Sequence, residues 1–366
     1  MLDEVHRRGE PGGRLGAVNV LVAMSGGVDS SSAAALLLEQ GHQVTGVTLR
    51  LWGGPSDAGC CSVSDVEDAR QVAAELGIDH HVFNMSEEFE THVVAPYVAE
   101  HAAGRTPNPC IECNRHLKFT ALLAAADRLG FDRLATGHHA RIGVADSGAQ
   151  LWRGVDSAKD QSYVLSMLTP AKLDRVMLPI GELTKAEVRA VAVSHGLRTA
   201  AKAESQDTCF ISSSIGRRGF LAERTDLTPG ALVERESGEV VGEVAHLQLV
   251  TVGQRKGLGV DALGQHRVAV AIDPVGHRVL VAAPDEALVD QVRFDPGSLT
   301  WTGLPLLPGE PTLVQMRSHG EPRLATFAEA ALHLVDPVDP VAPGQTVAFY
   351  DSVEPGRVRG SAVVIP

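Results

Sequence analysis

No apolar run in the chain approaches the ~20 residues that a membrane-spanning helix needs, so neither a helical membrane span nor a membrane partner is expected. Cysteine is scarce. Five residues in 366, unevenly placed, are too few for a disulfide framework and fit a cytoplasmic protein with working thiols. The first stretch, residues 1–16, is charged and rich in Gly and Pro, with no apolar centre. It reads as a flexible extension and not as a signal peptide. Basic residues are outnumbered, and the formal charge of −13 argues against general nucleic-acid binding, with no DNA partner expected. A local basic face is still allowed, with Arg217-Arg218 and Arg255-Lys256 as candidates. The pattern G-x-x-x-x-G-K-[ST] is missing, which excludes a kinase- or GTPase-type phosphate loop. No second C-x-x-C completes a zinc pattern, and no histidine pair has zinc-site spacing. There is no internal repeat and no low-complexity tract.

What is present is organised around Ser25-Gly26-Gly27-Val28-Asp29-Ser30. An apolar, β-branched run, Ala17 to Ala23, precedes it and suits a strand buried on both faces. A segment rich in helix formers follows and closes at Gly41. The loop therefore joins a buried strand to a helix N-terminus, where adjacent glycines let backbone N–H groups converge and the helix end adds partial positive charge. Such a loop can hold phosphate; it can also be an ordinary tight turn with Asp29 or Ser30 as cap.

The length predicts two or three domains of roughly 100–200 residues each. Residues 17–205 alternate strand-like and helix-like segments, and the first domain is expected to run over 17–210. Val44–Leu49 and His80–Met85 read as strands, and Leu134-Ala135-Thr136 ends another before Gly137-His138-His139. Ser64 to Glu67 and Thr184 to Glu187 read as capping boxes. Ser86 is placed as the cap of a helix that Pro96 would kink. Arg105 to Cys110, with two prolines, is expected to be irregular, and a helix is expected to resume near Asn114 and run to Gly130. This rhythm predicts an α/β, doubly wound parallel sheet whose ligands sit beyond the strand carboxyl ends. Helical periodicity fades after about residue 210. A small linking domain is expected over 211–272. Residues 273–366, with many short strands and turn signals, predict a C-terminal β-barrel.

Cys110-Ile111-Glu112-Cys113 is a C-x-x-C beside prolines, and Cys209 stands in Ser205-Gln206-Asp207-Thr208-Cys209-Phe210-Ile211. Three readings are open: a redox or persulfide pair using a thiolate nucleophile, a zinc site, or an iron–sulfur cluster on Cys110, Cys113 and Cys209, three thiolates where four are usual. Gly59-Cys60-Cys61-Ser62 has no assignable role.

Taken together, these segments resemble the bacterial tRNA-specific 2-thiouridylases of the ATP pyrophosphatase superfamily. Besides the glycine loop, the resemblance rests on Arg105-Thr106-Pro107-Asn108-Pro109, Cys113-Asn114, Lys118-Phe119, Ala135 to His138, Lys159 to Tyr163, Cys209-Phe210-Ile211, Thr251 to Gly259 and Pro343-Gly344-Gln345. It implies ATP-dependent adenylation of the wobble-uridine 2-carbonyl oxygen, then sulfur transfer from a cysteine persulfide. The cofactors implied are ATP and Mg²⁺; a [4Fe-4S] cluster is the alternative. The partners implied are the tRNA anticodon arm and a persulfide donor protein.

By resemblance, Ala23, Met24, Ser25, Gly26, Gly27, Val28, Asp29, Ser30, Leu49 and Gly137 would contact ATP. Cys113 would be the nucleophile and Cys209 the persulfide carrier, the two forming a disulfide in the cycle. Asn108, Pro109 and Cys110 would face the target base. His138, Lys159, Asp160, Gln161, Arg317, Ser318 and Gln345 would meet tRNA. Cys110 stands where some members carry aspartate, and Ser318 where some carry an aromatic residue. Two rivals remain: an ATP pyrophosphatase adenylating a small substrate, which needs neither the cysteines nor the barrel, and an RNA-binding or sulfur-carrier protein without turnover.

Overall fold

The computed structural model describes residues 16–51, 63–145, 148–203, 209–211 and 214–366. Residues 1–15, Cys60, Cys61 and the stretch 204–208 ahead of Cys209 lie outside the described residues. The first domain is built on β1 (Asn19–Ala23), β2 (Gln43–Arg50), β3 (His80–Asn84) and β4 (Arg133–Thr136). A separate antiparallel hairpin, β5 (Ala140–Ala145) and β6 (Gly148–Arg153), follows, and β7 (Val176–Met177) returns to the sheet. The sheet order is β3-β2-β1-β4-β7 with every pairing parallel.

The unbroken apolar run of β1 has a direct cause, because both faces of the sheet are covered. Val20 and Val22 enter a cluster with α1 (Val28–Glu39), α2 (Val63–Leu76) and the helix Lys185–Ser194. Leu21 points the other way, into a larger cluster with helices 86–102 and 109–128. The Thr184–Glu187 capping box forms as expected, each side chain bonding the other residue's backbone. The Ser64–Glu67 box is displaced: α2 starts at Val63, so Ser64 lies inside the first turn and not at the cap.

Two local expectations are corrected. Ser86 is the first helical residue and not the cap. Its N–H and hydroxyl both donate to the Asn84 side chain, at 3.2 and 2.9 Å. Helix 86–102 widens over Glu90–Val94, where the Ala95 N–H reaches back five residues to the Glu90 carbonyl. Pro96 follows at once and has no N–H to continue the ordinary ladder. The Pro-rich loop ends earlier than expected. Pro109 opens a helix, so Pro109 and Cys110 are regular structure, and the helix starts five residues before Asn114. Proline is well suited to the first helical turn, whose N–H groups have no intrahelical partner. Asn108 caps this turn by accepting from the Cys110 and Ile111 N–H groups at 3.1 and 3.4 Å.

The middle sheet comprises β8 (Gly230–Glu234), β9 (Val240–Val244), β10 (Val268–Asp273) and β11 (Arg278–Ala282), in the order β10-β11-β8-β9. The barrel is formed by β12 (Val289–Trp301), β13 (Pro311–Gln315), β14 (Arg323–Phe327), β15 (Ala331–Val338), β16 (Thr346–Asp351) and β17 (Val358–Val364). It closes in the order β12-β15-β14-β13-β16-β17, around Phe294, Phe327 and Phe349. Buried polar contacts seat it on the first domain. The Tyr163 hydroxyl donates to the Thr346 carbonyl at 2.7 Å, and the Ser162 and Tyr350 hydroxyls meet at 3.1 Å. Among the described residues, no helix is long and apolar enough to cross a membrane.

His101, buried on helix 86–102 and packed edge-on against Tyr97, makes this region acid-sensitive. Burial, then the Arg217 charge, pulls its imidazole down to about 4, against weaker support from the Gln248 backbone and Glu100. An unfolded histidine titrates near 6.5. Between these values the unfolded chain binds the extra proton, so stability falls as pH drops from about 6.5 to about 4. Urea denaturation midpoints at pH 7 and pH 5 check this. The wild type is expected to lose more stability than a His101→Phe variant over that interval, and equal losses would contradict it.

Candidate active site

The site is built at the carboxyl ends of β1 and β4. The chain leaves β1 through Met24, whose N–H donates to the Val47 carbonyl at 2.8 Å and whose carbonyl accepts the Thr48 hydroxyl at 2.8 Å. Leu49, next along β2, is buried. Gly26 turns with φ +71°, and a Cβ there would stand 2.3 Å from the Asp65 carbonyl oxygen of α2. A side chain is therefore refused twice, by conformation and by space. Gly27 caps α1; its carbonyl accepts the Ser31 N–H and both the Ser30 and Ser31 hydroxyls. The Ser25 N–H donates to the Ser30 hydroxyl at 3.2 Å. The loop is thus held by its own serines, ahead of a 12-residue helix.

Gly137 fits against that start. A Cβ on it would lie 2.6 Å from both the Asp29 carbonyl carbon and the Ser30 nitrogen. His138 is buried behind it, with Nδ1 2.7 Å from the Thr136 hydroxyl. Burial, reinforced by Lys118 and His139, pushes its imidazole well below the ordinary range, so it is neutral.

Asp29 draws in residues that no local pattern announced. The Lys185 ammonium donates to both carboxylate oxygens, at 2.7 and 2.8 Å, and the buried His139 approaches with Nε2 at 3.3 Å. Burial opposes the Asp29 charge, but His139 and Lys185 outweigh it and hold the carboxyl below its usual range. Lys202 ties the other side of the loop. Its ammonium donates to the Gly26 carbonyl at 3.0 Å, to Asp65 at 2.8 Å and to Asp68 at 2.6 Å. Burial works against the Lys202 charge, and the two carboxylates more than restore it. Two lysines therefore flank the loop of an acidic chain. Lys185 was visible only as part of a capping box, and Lys202 carried no signal.

The cysteines approach from the other face of the sheet. Cys110 is exposed in the first turn of helix 109–128, Cys113 is buried one turn on, and Cys209 is half-buried; all three are thiols. Cys113 lies in the large apolar cluster, and Cys209 packs against that same cluster. Phe210 anchors the Cys209 segment among Phe89, Tyr97 and Phe220, with ring centroids 5.0–5.6 Å away. Among the described residues no three His, Cys, Asp or Glu side chains are grouped to hold a metal ion. No such group contains Cys110, Cys113 and Cys209.

The other expected positions fall into three places. Asn108, Pro109 and Cys110 follow Thr106 in the chain, whose carbonyl accepts from the Gln345 side-chain amide. The Thr106 N–H in turn donates to the Pro343 carbonyl at 2.8 Å. Gln161 accepts the His139 N–H at 2.9 Å. Asp160 is turned inward: its carboxylate accepts from the Gly154 and Ser162 N–H groups, the Ser162 hydroxyl and Arg153. Lys159 adjoins it in the same loop. Arg317 and Ser318 are exposed at the barrel, and both their carbonyls accept from Gln315, at 2.9 and 3.0 Å. Gln315 itself accepts from Arg153 at 2.7 Å. One hydrogen-bonded series thus runs from Asp160 to the Arg317 loop.

Comparison with known proteins decides the family. The model described as "tRNA methyl transferase HUP domain" matches residues 18–213, and "tRNA methyl transferase PRC-barrel domain" matches 218–283. A tRNA-specific 2-thiouridylase MnmA from Chloroflexus aurantiacus is 46% identical over 344 residues, covering 91% of this chain and 95% of the relative. One from Salinispora arenicola is 45% identical over 366 residues, covering 95% and 99%. The chain belongs to the tRNA-specific 2-thiouridylase family. Members of this thiouridylase family are tRNA sulfurtransferases. The model descriptions speak of methyl transfer, whereas the full-length relatives are thiouridylases. Among solved structures, a 4-thiouridine synthetase–RNA complex with bound ATP is similar at 19% identity and TM-score 0.36, covering 52% of this chain and 44% of that one.

Proposed function

We propose that the chain thiolates the wobble uridine of tRNA at carbon 2, using ATP to activate the oxygen and a persulfide on Cys209 to supply sulfur. The observation that carries this reading is that one sheet carries a glycine loop at the carboxyl end of β1 and, against its other face, an apolar cluster that includes Cys113 and packs Cys209. A small-substrate adenylating enzyme would need only the first.

ATP fits the cradle. Ala23 to Ser30 and Gly137 leave backbone where phosphate would lie, and the α1 N-terminus favours anions, while Lys185 and Lys202 offset the charges of Asp29, Asp65 and Asp68 around it. Leu49 closes the sheet end of the pocket. Mg²⁺ bound with the nucleotide would neutralise charge developing on pyrophosphate. Asp29 is the loop's carboxylate, already held by Lys185.

A uracil 2-oxygen is a poor leaving group. Its attack on the α-phosphorus of ATP expels pyrophosphate and converts it into AMP, a good one. The terminal sulfur of the Cys209 persulfide then attacks carbon 2 and displaces AMP, leaving a carbon–sulfur–sulfur–Cys209 link. The Cys113 thiolate attacks the Cys209 sulfur, releases 2-thiouridine and forms a Cys113–Cys209 disulfide. Alternatively, Cys113 first frees hydrosulfide by the same attack, and hydrosulfide displaces AMP. Either route ends in one disulfide, which an external thiol reduces, and a protein persulfide donor reloads Cys209. Burial of Cys113 shields it from bystander oxidation, and the target base reaches it cheaply because an anticodon loop is already single-stranded.

In this reading Asn108, Pro109 and Cys110 face the base. His138, Lys159, Gln161, Arg317, Ser318 and Gln345 lie along the tRNA, with Asp160 acting from beneath through Arg153. The work is done in the cytoplasm. Pyrophosphate release from ATP tests the proposal: it is expected to depend on tRNA and to disappear with tRNA lacking the wobble uridine. Release at the same rate without tRNA would overturn it.

A further inference from the structure

The Thr251–Gly259 loop of the middle domain belongs to no part of the chemistry above, yet it is heavily braced. Gln254 closes it from inside. Its side-chain oxygen accepts the Thr251 N–H at 3.2 Å, and its amide donates to the Lys256 carbonyl at 2.8 Å. Leu258 is fully buried and pins the far end. The loop is also fastened to the barrel. Arg255 donates to Asp339 at 2.7 Å. A Cβ on Gly253 would stand 2.9 Å from the Pro340 carbonyl oxygen and 3.4 Å from the Arg317 guanidinium, so the two loops meet backbone to side chain.

This bracing presents cations. Lys256 is exposed, as is Arg317, and neither forms an ion pair with any described residue. Arg317 is braced as Lys256 is, by a glutamine: Gln315 holds the carbonyls of Arg317 and Ser318. Nearby arginines such as Arg255, Arg267 and Arg323 are instead matched by carboxylates. Holding two exposed, unmatched cations on two loops that touch at Gly253 and Arg317, in a chain of charge −13, favours a polyanion.

We infer that Lys256 and Arg317 form one continuous ridge, across the middle domain and the barrel, that binds the phosphodiester backbone of the tRNA substrate. This rests on the reading that Arg317 meets tRNA and adds the middle-domain loop to that surface. Lys256 binds phosphate as a point charge, and Gln254 acts as a positioning residue beneath it.

The test is equilibrium binding of an unmodified tRNA transcript to the full chain across a potassium chloride series. Lys256→Met is expected to weaken binding several-fold and to lower the slope of log affinity against log salt by about 0.7–0.9, the loss of one phosphate contact. Lys256→Glu weakens it further. Gln254→Ala is expected to weaken binding while retaining part of the slope, with thermal melting confirming that it folds. If both Lys256 variants keep the wild-type affinity and slope while Arg317→Ala loses both, the inference is overturned and the tRNA reading stands. If Arg317→Ala is silent as well, the reading of Arg317 falls with it.

Discussion

Cys113→Ser and Cys209→Ser are each expected to lower 2-thiouridine formation by roughly three orders of magnitude or more, as loss of a covalent participant does. The exchange is nearly isosteric, and Cys113 sits in a cluster built mainly of larger apolar side chains, so the fold tolerates it. The chemistry does not: a serine oxygen cannot carry the persulfide, and it is a far weaker nucleophile toward sulfur. The two variants should fail differently. Cys209→Ser cannot be loaded by a persulfide donor. Cys113→Ser still loads sulfur on Cys209 but does not resolve it, and intact-protein mass measured before and after tRNA addition separates them. Cys110→Ser, at the exposed first turn of the helix, keeps most of its activity. Full activity in either of the first two variants would remove that residue from the mechanism.

Gly137→Ala is expected to lower tRNA-dependent pyrophosphate release about 100-fold or more, since misplacing reacting groups by about 1 Å has that effect. The added Cβ meets backbone and not a flexible side-chain tip: it would lie 2.6 Å from the Asp29 carbonyl carbon and from the Ser30 nitrogen. Either β4 or the first turn of α1 must retreat. The turn is not free to move, because Asp29 is bound by Lys185 and His139 and the Gly26 carbonyl by Lys202. The expected signature is a raised KM for ATP together with a lower kcat, while cysteine loading is untouched. Wild-type kinetics in Gly137→Ala would mean that the loop is not the phosphate site.

What could be read from the sequence was local. The strand–loop–helix around Gly26, the Thr184–Glu187 box and the strand–helix alternation from β1 to β3 all follow from neighbours in the chain, and each is present among the described residues. Boundaries that depend on one residue's preference slipped. Pro109 looked like the end of regular structure, but at a first helical turn its missing N–H costs nothing. The strands Val268–Asp273 and Arg278–Ala282 read as barrel texture on one side of Asp273 and linker on the other, yet they pair with each other, and the second pairs with β8. The contacts that shape the loop were not legible at all. Lys185 and Lys202 reach Asp29 and Gly26 from 156 and 176 residues away, and nothing in their own surroundings points there. Asp160 is a further case. By resemblance it was expected to meet tRNA, and nothing in the sequence announced that its carboxylate also accepts from Arg153, Ser162 and Gly154.

The most direct test of the central claim is a single assay on iron-free protein with ATP, tRNA, a persulfide donor and a thiol reductant, counting AMP, pyrophosphate and 2-thiouridine together. The account predicts one of each per turnover, with no dependence on added iron and sulfide. Thiolation that appears only when an iron–sulfur cluster is restored, or AMP formed without 2-thiouridine, would contradict it.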